Sequence, residues 1–328
     1  MKGRLLIALT IAVLSFVSWA ARGEAADSPH EEQASLNVPG GSLYGSLLMP
    51  AHSTLIPMAL FIAGSGPTDR DGNTSLIPGK NDALKLLAQA LAHHGIASLR
   101  YDKRGIAASA AAGYDESRLR FDTYIDDATS WGEKLQKDPR FSSLVVIGHS
   151  EGALIGAVAA QRIPADGVVS LAGAGRPAPD IILAQLRPKL SQGAMTDVEG
   201  LIAKLKAGET TRMAPPGLAG LFRPSLQPYL VSWFKYDPVQ EVRKLQIPLL
   251  IMQGTTDTQT TVEDAKRLAD ANPKARLVII DGMNHVLKRV PPDEARQVAS
   301  FSDPSLPVEP KLVQEIAEFV VSLPRPGP

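Results

Sequence analysis

Cysteine is absent from all 328 residues of the sequence. Its absence excludes disulfides, thiolate metal sites, cysteine nucleophiles and lipid-modified cysteines. Neither sign of charge is in excess, because 34 lysines and arginines balance 34 aspartates and glutamates. The overall charge therefore gives no reason to expect nucleic acid or an acidic surface as a partner. The composition is otherwise that of a globular protein, 44% hydrophobic and 21% charged, and the chain is long enough to bury a core without disulfides.

Long apolar runs are also absent beyond the N-terminus, and the run found there is short. Lys2 and Arg4 precede an apolar stretch at 5–19, which is followed by small residues. Its length of about 15 residues is below the roughly 20 that a membrane-spanning helix needs. The pattern predicts a signal peptide over residues 1–25, and hence an exported protein that is periplasmic or secreted. The alternative is an N-terminal anchor that is not cleaved.

Beyond residue 25 the chain alternates short apolar runs with helical patterns. A polar linker is expected over 26–33, and the stretch 34–49, with Pro39-Gly40-Gly41 inside it, predicts an antiparallel hairpin. Further strands are expected at 58–62, 96–101, 144–147, 167–171, 248–252 and 275–280. Helices are expected at 82–94, 121–137, 151–162, 262–271 and 310–323. Continuously apolar strands that alternate with helices predict an α/β fold with a mostly parallel sheet covered on both faces.

One segment interrupts this alternation. Residues 175–246, about 70 in number, separate two predicted strands and are far more than a simple crossover needs. Their apolar runs predict a mostly helical cap inserted into a core made of 26–174 and 247–328. Apolar residues of this cap, Trp233 among them, are candidates to line a substrate pocket. They are equally suited to packing the cap onto the core.

The sequence Gly148-His149-Ser150-Glu151-Gly152 matches the pattern G-x-S-x-G. Five residues alone are modest evidence, but their setting strengthens it. The motif follows the strand predicted at 144–147 and opens the helix predicted from residue 151. A serine on such a strand–turn–helix corner is typical of a catalytic nucleophile. We therefore expect Ser150 to be a nucleophile.

A serine hydroxyl is a weak nucleophile and needs an adjacent base. Of the six histidines, His285 follows a predicted strand at the expected edge of the sheet, while the ring of His149 should point away from Ser150. The base needs a carboxylate to orient it and to stabilise its cation. Asp257 and Asp281 both follow predicted strands. Asp257 is favoured because Asp281 is only four residues from the histidine.

Further motifs accompany these residues: GSGPTDRDGN at 64–73, YDKRG at 101–105, YDP at 236–238, QGTTD at 253–257 and NH at 284–285. With the GHSEG motif and the order serine, aspartate, histidine, they make the chain resemble the α/β-hydrolase superfamily. Within it, the chain resembles bacterial exported esterases and serine-aminopeptidase-like hydrolases. The resemblance covers roughly 34–323 apart from the cap. Two features depart from it: Ala63 stands where many relatives have histidine, and 106–109 lacks their second glycine.

The resemblance implies which groups would hold the oxyanion of a tetrahedral intermediate. One backbone N–H should come from Glu151 and the other from Ser65, with Gly66 as the alternative. Gly64 and Gly66 are expected beside the substrate, because glycine lets the backbone approach a ligand closely. The side chain of Glu151 is expected to be solvated at the start of its helix. Ion pairs that hold the two loops together are expected among Asp69, Arg70, Asp71, Asp102 and Arg104.

Together these features predict a serine hydrolase that cleaves carboxylic esters of short or medium acyl chain through an acyl-enzyme. The substrate would be a small-molecule ester, with no cofactor, no metal and no nucleic acid required. Two alternatives use the same three residues: an aminopeptidase or amidase, and an acyltransferase in which an alcohol replaces water. A third alternative is a non-catalytic binding protein on a hydrolase scaffold.

Overall fold

The computed structural model describes residues 28–51, 55–113 and 115–324. The predicted signal peptide therefore lies outside the described residues. Within these ranges one sheet has eight strands, in the order β1-β2-β4-β3-β5-β6-β7-β8. They are β1 (His30–Val38), β2 (Gly41–Met49), β3 (Ile56–Ile62), β4 (Ala97–Tyr101), β5 (Phe141–His149), β6 (Gly167–Leu171), β7 (Leu249–Gly254) and β8 (Ala275–Ile280).

Strands β3 to β8 run parallel to one another, and β2 pairs antiparallel with both β1 and β4. The expected fold class, a mostly parallel α/β sheet, is confirmed. The hairpin begins earlier than its alternation indicates, because β1 starts at His30. The polar linker expected over 26–33 is therefore wrong in its second half, where polar residues form an edge strand. An edge strand tolerates them because one of its sides has no neighbour.

Eleven α-helices occur in the described residues. They are α1 (Ala83–His93), α2 (Phe121–Gln136), α3 (Glu151–Ala159), α4 (Ala178–Leu186), α5 (Gln192–Lys206), α6 (Ala219–Phe222), α7 (Gln227–Trp233), α8 (Pro238–Lys244), α9 (Val262–Ala271), α10 (Glu294–Ser300) and α11 (Pro310–Ser322). Two 3₁₀ helices, Ala107–Gly113 and Glu116–Arg118, lie between β4 and α2. No described helix is long and apolar enough to cross a membrane.

The sheet separates two apolar cores. Met58, Leu60 and Ile62 of β3 face the core that α2, α3 and α9 cover, whereas Ala59 and Phe61 face the core under α1 and α11. Successive side chains of a strand point to opposite faces. Because both faces are covered, every position of β3 from Met58 to Ile62 is apolar.

The cap segment, residues 175–246, carries five helices, α4 to α8, between β6 and β7. A polar contact at its α7 end reaches the start of α2, where the backbone N–H of Phe121 donates to Ser232 Oγ at 2.7 Å. The hydroxyl of Tyr236 donates to Asp122 Oδ1 at 2.6 Å. The side chain of Phe121 also stacks on Trp233, with ring centroids 5.7 Å apart and planes 10° from parallel. The cap segment is thus anchored to the first turn of one core helix.

Candidate active site

Ser150 lies on a sharp turn between the last residue of β5 and the first residue of α3. Its φ of 55° and ψ of −120° place a non-glycine residue in a sparsely populated backbone region. Its backbone N–H donates to Leu171 O of the neighbouring strand at 2.8 Å, which helps to hold the turn. Such strain persists only where the surrounding structure maintains it, and it is common at active sites.

Two glycines make this turn possible. A Cβ on Gly148 would collide with the backbone oxygen of Gly152, and a Cβ on Gly152 would collide with the oxygen of Ile62. The helix therefore approaches the strands more closely than any side chain allows. This close packing is the physical reason for the glycines on both sides of Ser150 in the motif.

His285 lies in the loop after β8, where its Nδ1 is 2.8 Å from Asp257 Oδ2. The backbone N–H groups of Gln259 and Thr260 donate to Asp257 Oδ1 at 2.7 and 3.1 Å. Burial on its own would raise the pKa of Asp257, but the His285 ring and these N–H groups lower it to about 2. The carboxylate is therefore ionised near neutral pH and accepts a hydrogen bond from the imidazole. The side-chain amide of Gln253, which the sequence analysis did not single out, also donates to Asp257 Oδ2 at 3.1 Å.

The competing carboxylate lies elsewhere. Asp281 is exposed and accepts a hydrogen bond from Thr255 Oγ1 at 3.0 Å. Of the two candidate aspartates, the structure brings Asp257 and not Asp281 to the imidazole of His285.

His149 packs against the histidine of this pair. Its Nε2 lies 2.8 Å from the backbone oxygen of His285, and the two rings are 4.9 Å apart. Burial and the neighbouring His285 ring lower the pKa of His149 to about 4. Among the described residues, Ser150 Oγ makes no hydrogen bond to His285. Such bonds are often long before substrate binds. Ser150 directly follows His149, whose ring contacts His285.

The loop after β3 passes beside Ser150. A Cβ on Gly64 would lie 3.2 Å from the Cβ of Ser150, so the backbone of this loop approaches the serine closely. Ser65 and Gly66 are exposed and line the same cavity as Ser150 and Glu151. The residues expected to supply the two N–H donors thus border one cavity.

Ion pairs fix the same loop. Arg70 Nη2 is 2.7 Å from Asp102 Oδ2, and the backbone N–H of Arg70 donates to Asp102 Oδ1 at 2.8 Å. The loop after β3 is therefore tied to the end of β4, as expected. Arg104 pairs instead with Asp127 of α2, at 2.7 Å.

The carboxylate of Glu151 was expected in solvent, and this expectation is wrong. Glu151 is 7% exposed, and its Oε1 lies 3.7 Å from Nζ of Lys103, which is itself 2% exposed. The close approach of α3 to the sheet buries the first turn of the helix, and an ammonium group from the end of β4 compensates the charge. Burial lowers the pKa of Lys103 and raises that of Glu151, and the attraction between the groups opposes both shifts. Sequence reasoning missed Lys103, although it lies within the YDKRG motif.

A cavity of about 640 Å³ opens over Ser150 between the core and the cap segment. The cap contributes a mainly apolar lining: Ile181, Ile182, Leu186, Leu221, Leu226, Leu230 and Trp233. Trp233 both lines the cavity and packs the cap onto the core, because it borders the cavity and stacks on Phe121. The size and lining are typical of a site for a small molecule.

The sheet, with Ser150 on a strained turn between β5 and α3, defines an α/β-hydrolase-fold protein. Structures of this fold superpose on most of the chain. The match to Est1E from Butyrivibrio proteoclasticus covers 88% of this chain and 99% of the Est1E chain, with a TM-score of 0.56 at 16% identity. The esterase domain of a Rhodothermus marinus protein covers 89% and 99%, with a TM-score of 0.54 at 19% identity. At these identities the similarity shows the fold alone.

Sequence similarity narrows the class. Residues 80–212 match the family described as "Serine aminopeptidase, S33". Esterase EstD of Thermotoga maritima is 30% identical over 263 residues, which are 78% of this chain and 60% of EstD. The chain thus spans less than two thirds of the length of this relative. The chain thus has the α/β-hydrolase fold and is similar in sequence to a bacterial esterase.

Proposed function

We propose that the protein hydrolyses carboxylic esters, with Ser150 as nucleophile, His285 as general base and Asp257 as the group that orients the base. The hydrogen bond between Asp257 and His285 Nδ1, at 2.8 Å, carries this proposal. It leaves Nε2 as the nitrogen that can take a proton from Ser150. Because Asp257 is ionised, it also stabilises the imidazolium that forms in the transition state.

The reaction proceeds in two halves. Ser150 Oγ attacks the ester carbonyl while His285 accepts its proton, and the resulting oxyanion is held by the backbone N–H groups of Ser65 and Glu151. His285 then gives the proton to the leaving alcohol, which leaves an acyl group on Ser150. A water molecule, deprotonated by His285, releases the acid. Each N–H donor to such an oxyanion contributes roughly 3 kcal/mol of transition-state stabilisation in other hydrolases.

The lining of the cavity favours an ester over a peptide substrate. An aminopeptidase needs a free carboxylate to bind the substrate ammonium group. Among the lining residues only Glu116 and Glu151 are acidic. Glu116 pairs with Arg223 and accepts a hydrogen bond from Ser225, and Glu151 pairs with Lys103. Both carboxylates therefore have partners within the protein.

The same lining favours a short or medium acyl group. The apolar side chains of the cap can cover such a chain, and a volume of about 640 Å³ accommodates a compact ester. Est1E has also been solved with ferulic acid bound, at a TM-score of 0.57 and 16% identity to this chain. That neighbour supports a small organic acid as the kind of product that the fold can hold.

The test compares p-nitrophenyl esters of increasing chain length with aminoacyl p-nitroanilides, using protein that lacks residues 1–25. We expect the highest kcat/KM on a short or medium ester. A fluorophosphonate probe should label this protein and should not label the Ser150→Ala variant. Greater efficiency on an anilide would favour the aminopeptidase, and failure of both labelling and turnover would favour a binding protein. Acyl transfer to an added alcohol in preference to water would identify an acyltransferase.

We also propose that the protein is exported, on the strength of the signal-peptide pattern in residues 1–25. The intact mass of the protein after expression in a bacterium tests this. Cleavage should leave a chain that begins near Ala21 or Ala26. A mass that retains residues 1–19 would favour the uncleaved anchor instead.

A further inference from the structure

Lys103 follows the end of β4 and extends its side chain beneath the loop that borders Ser150. Its Nζ donates a hydrogen bond to the backbone oxygen of Gly64. The ammonium group also lies 5.1 Å from the centre of the Tyr124 ring. The side chain is 2% exposed, so water does not compete for these contacts.

The carbonyl that accepts this bond belongs to a particular peptide group. Gly64 C=O and Ser65 N–H are the two ends of one planar, trans peptide, so they point in opposite directions. Fixing the carbonyl on Lys103 therefore fixes the direction of the Ser65 N–H. A cation on the carbonyl also polarises the peptide and makes its N–H a stronger donor.

Lys103 also contacts Glu151, the residue whose N–H is the second proposed donor to the oxyanion. Glu151 Oε1 is 3.7 Å from Nζ, and this oxygen makes no hydrogen bond among the described residues. Burying two charges is expensive, and a buried ion pair is often no more stabilising than an apolar pair of similar size. Fold stability alone therefore does not explain this pair.

Granting the proposed function, we propose that Lys103 is a positioning residue for the oxyanion hole. It orients and polarises the peptide whose N–H comes from Ser65, and its ion pair with Glu151 holds the helix start that supplies the second N–H. Lys103 does not touch the reacting atoms. Lys103 should therefore lower the energy of the transition state, in which the oxyanion exists. It should not change the affinity for the neutral ester.

The first experiment measures this difference in the Lys103→Met variant, which keeps most of the side chain's length and removes the ammonium group. We expect kcat to fall by about 10- to 100-fold with KM changed by less than about 3-fold, because the lost interaction is made only in the transition state. Inhibition by phenylboronic acid, which forms a tetrahedral adduct with serine, should weaken by the same factor as kcat. A fall in kcat with unchanged boronic acid affinity would overturn the proposal.

Lys134, which is exposed, provides a surface control for the loss of a lysine–carbonyl contact. It also donates to a backbone oxygen, that of Ser35, and it lies 5.7 Å from the ring centre of Trp131. It does not border the cavity. Lys134→Met should therefore leave kcat, KM and boronic acid affinity unchanged. If Lys103→Met behaves like this control, the proposal is wrong.

A double variant separates positioning from stability. In Lys103→Met the carboxylate of Glu151 loses its partner, which should lower Tm. Adding Glu151→Gln removes that unpaired charge and should restore much of Tm, but not kcat, because no cation holds Gly64 O. Recovery of kcat together with Tm would assign Lys103 a purely structural role. Wild-type protein that neither hydrolyses esters nor reacts with a fluorophosphonate would instead refute the proposed function.

Discussion

The two walls of the cavity over Ser150 differ in chemistry and in how they are held. The core wall carries Ser150, the loop after β3 at Ser65 and Gly66, and the buried pair of Lys103 and Glu151. The cap wall is mainly apolar, with side chains such as Leu230 and Trp233, and it also carries Arg176, Lys189 and Arg223. Ser150 and Glu151 stand at a helix start and Lys103 follows a strand end. The cap segment is instead held by polar contacts to α2, to α9 and to the 3₁₀ helix at Glu116–Arg118.

This difference separates two tasks. Groups that must stabilise charge in a transition state need fixed positions, because a small displacement forfeits most of their effect. An apolar surface that covers an acyl chain tolerates adjustment. We therefore expect changes in the core wall to lower kcat for every ester, and changes in the cap wall to alter which ester is preferred.

The largest expected effect is on the core wall. Ser150→Ala and His285→Ala should each lower kcat by at least about 10⁴-fold, because nucleophile and base act as a unit. Circular dichroism and Tm should show that both variants remain folded. Substantial ester turnover by a folded Ser150→Ala protein would show that Ser150 of the core wall is not the nucleophile.

The next effect sharpens the assignment of the carboxylate. Asp257→Asn should lower kcat by about 10³- to 10⁴-fold, because the amide cannot stabilise the imidazolium or fix its tautomer. Asp281→Asn is the matched control. It should change kcat by less than about 2-fold, because it is a surface substitution away from the site. Steady-state kinetics of both variants measure the two kcat values. A larger loss of kcat in Asp281→Asn than in Asp257→Asn would show that Asp281 orients His285.

A smaller effect is expected on the cap wall. Trp233→Ala enlarges the cavity and should shift the chain-length optimum towards longer acyl groups, with kcat/KM for the best wild-type ester lowered by roughly 10-fold. Phe234→Ala is the matched control, since Phe234 packs against the apolar core but does not border the cavity. A uniform loss across all chain lengths in Trp233→Ala would show that the cap wall supports catalysis without selecting substrates.

The smallest effect concerns the attachment of the cap. Arg223 of the cap segment pairs with Glu116 of the core, and both are partly exposed. Arg223→Met should therefore lower the free energy of unfolding by about 1 kcal/mol or less at pH 7. Hydrogen exchange should show the loss in α6 and α7, with the core strands unaffected. Equal loosening of the core strands would contradict a separately attached cap.

The same pair gives a pH dependence. The hydrogen bond from Arg223 lowers the pKa of Glu116 in the folded protein. A carboxyl with a lowered folded-state pKa stabilises the fold fully above its unfolded-state value, about 4.5, and loses that contribution as pH falls through the folded-state value. The stability difference between wild type and Arg223→Met should accordingly persist at pH 6 and shrink below about pH 4. A difference that stays constant down to pH 3 would show that the ion pair does not contribute it.

Much of this architecture was predictable because it depends on local patterns. The apolar runs located the parallel strands, and the setting of GHSEG at a strand end and a helix start located the Ser150 turn. The burial of Glu151 was not predictable, since it depends on how closely α3 approaches β3, which no local pattern records. Lys103 was missed for the same reason: its partners are Gly64 and Glu151, 39 and 48 positions away in the chain.

The left-handed backbone of Ser150 has an evolutionary consequence. A non-glycine residue in such a conformation costs on the order of 1–3 kcal/mol, so we expect the fold to be less stable with serine than with glycine at this position. Under the proposed function, Ser150→Gly would remove the nucleophile and end turnover while relieving this strain. If Ser150 is the nucleophile, the strained serine is retained at the expense of stability, and a Ser150→Gly protein should be more stable and inactive.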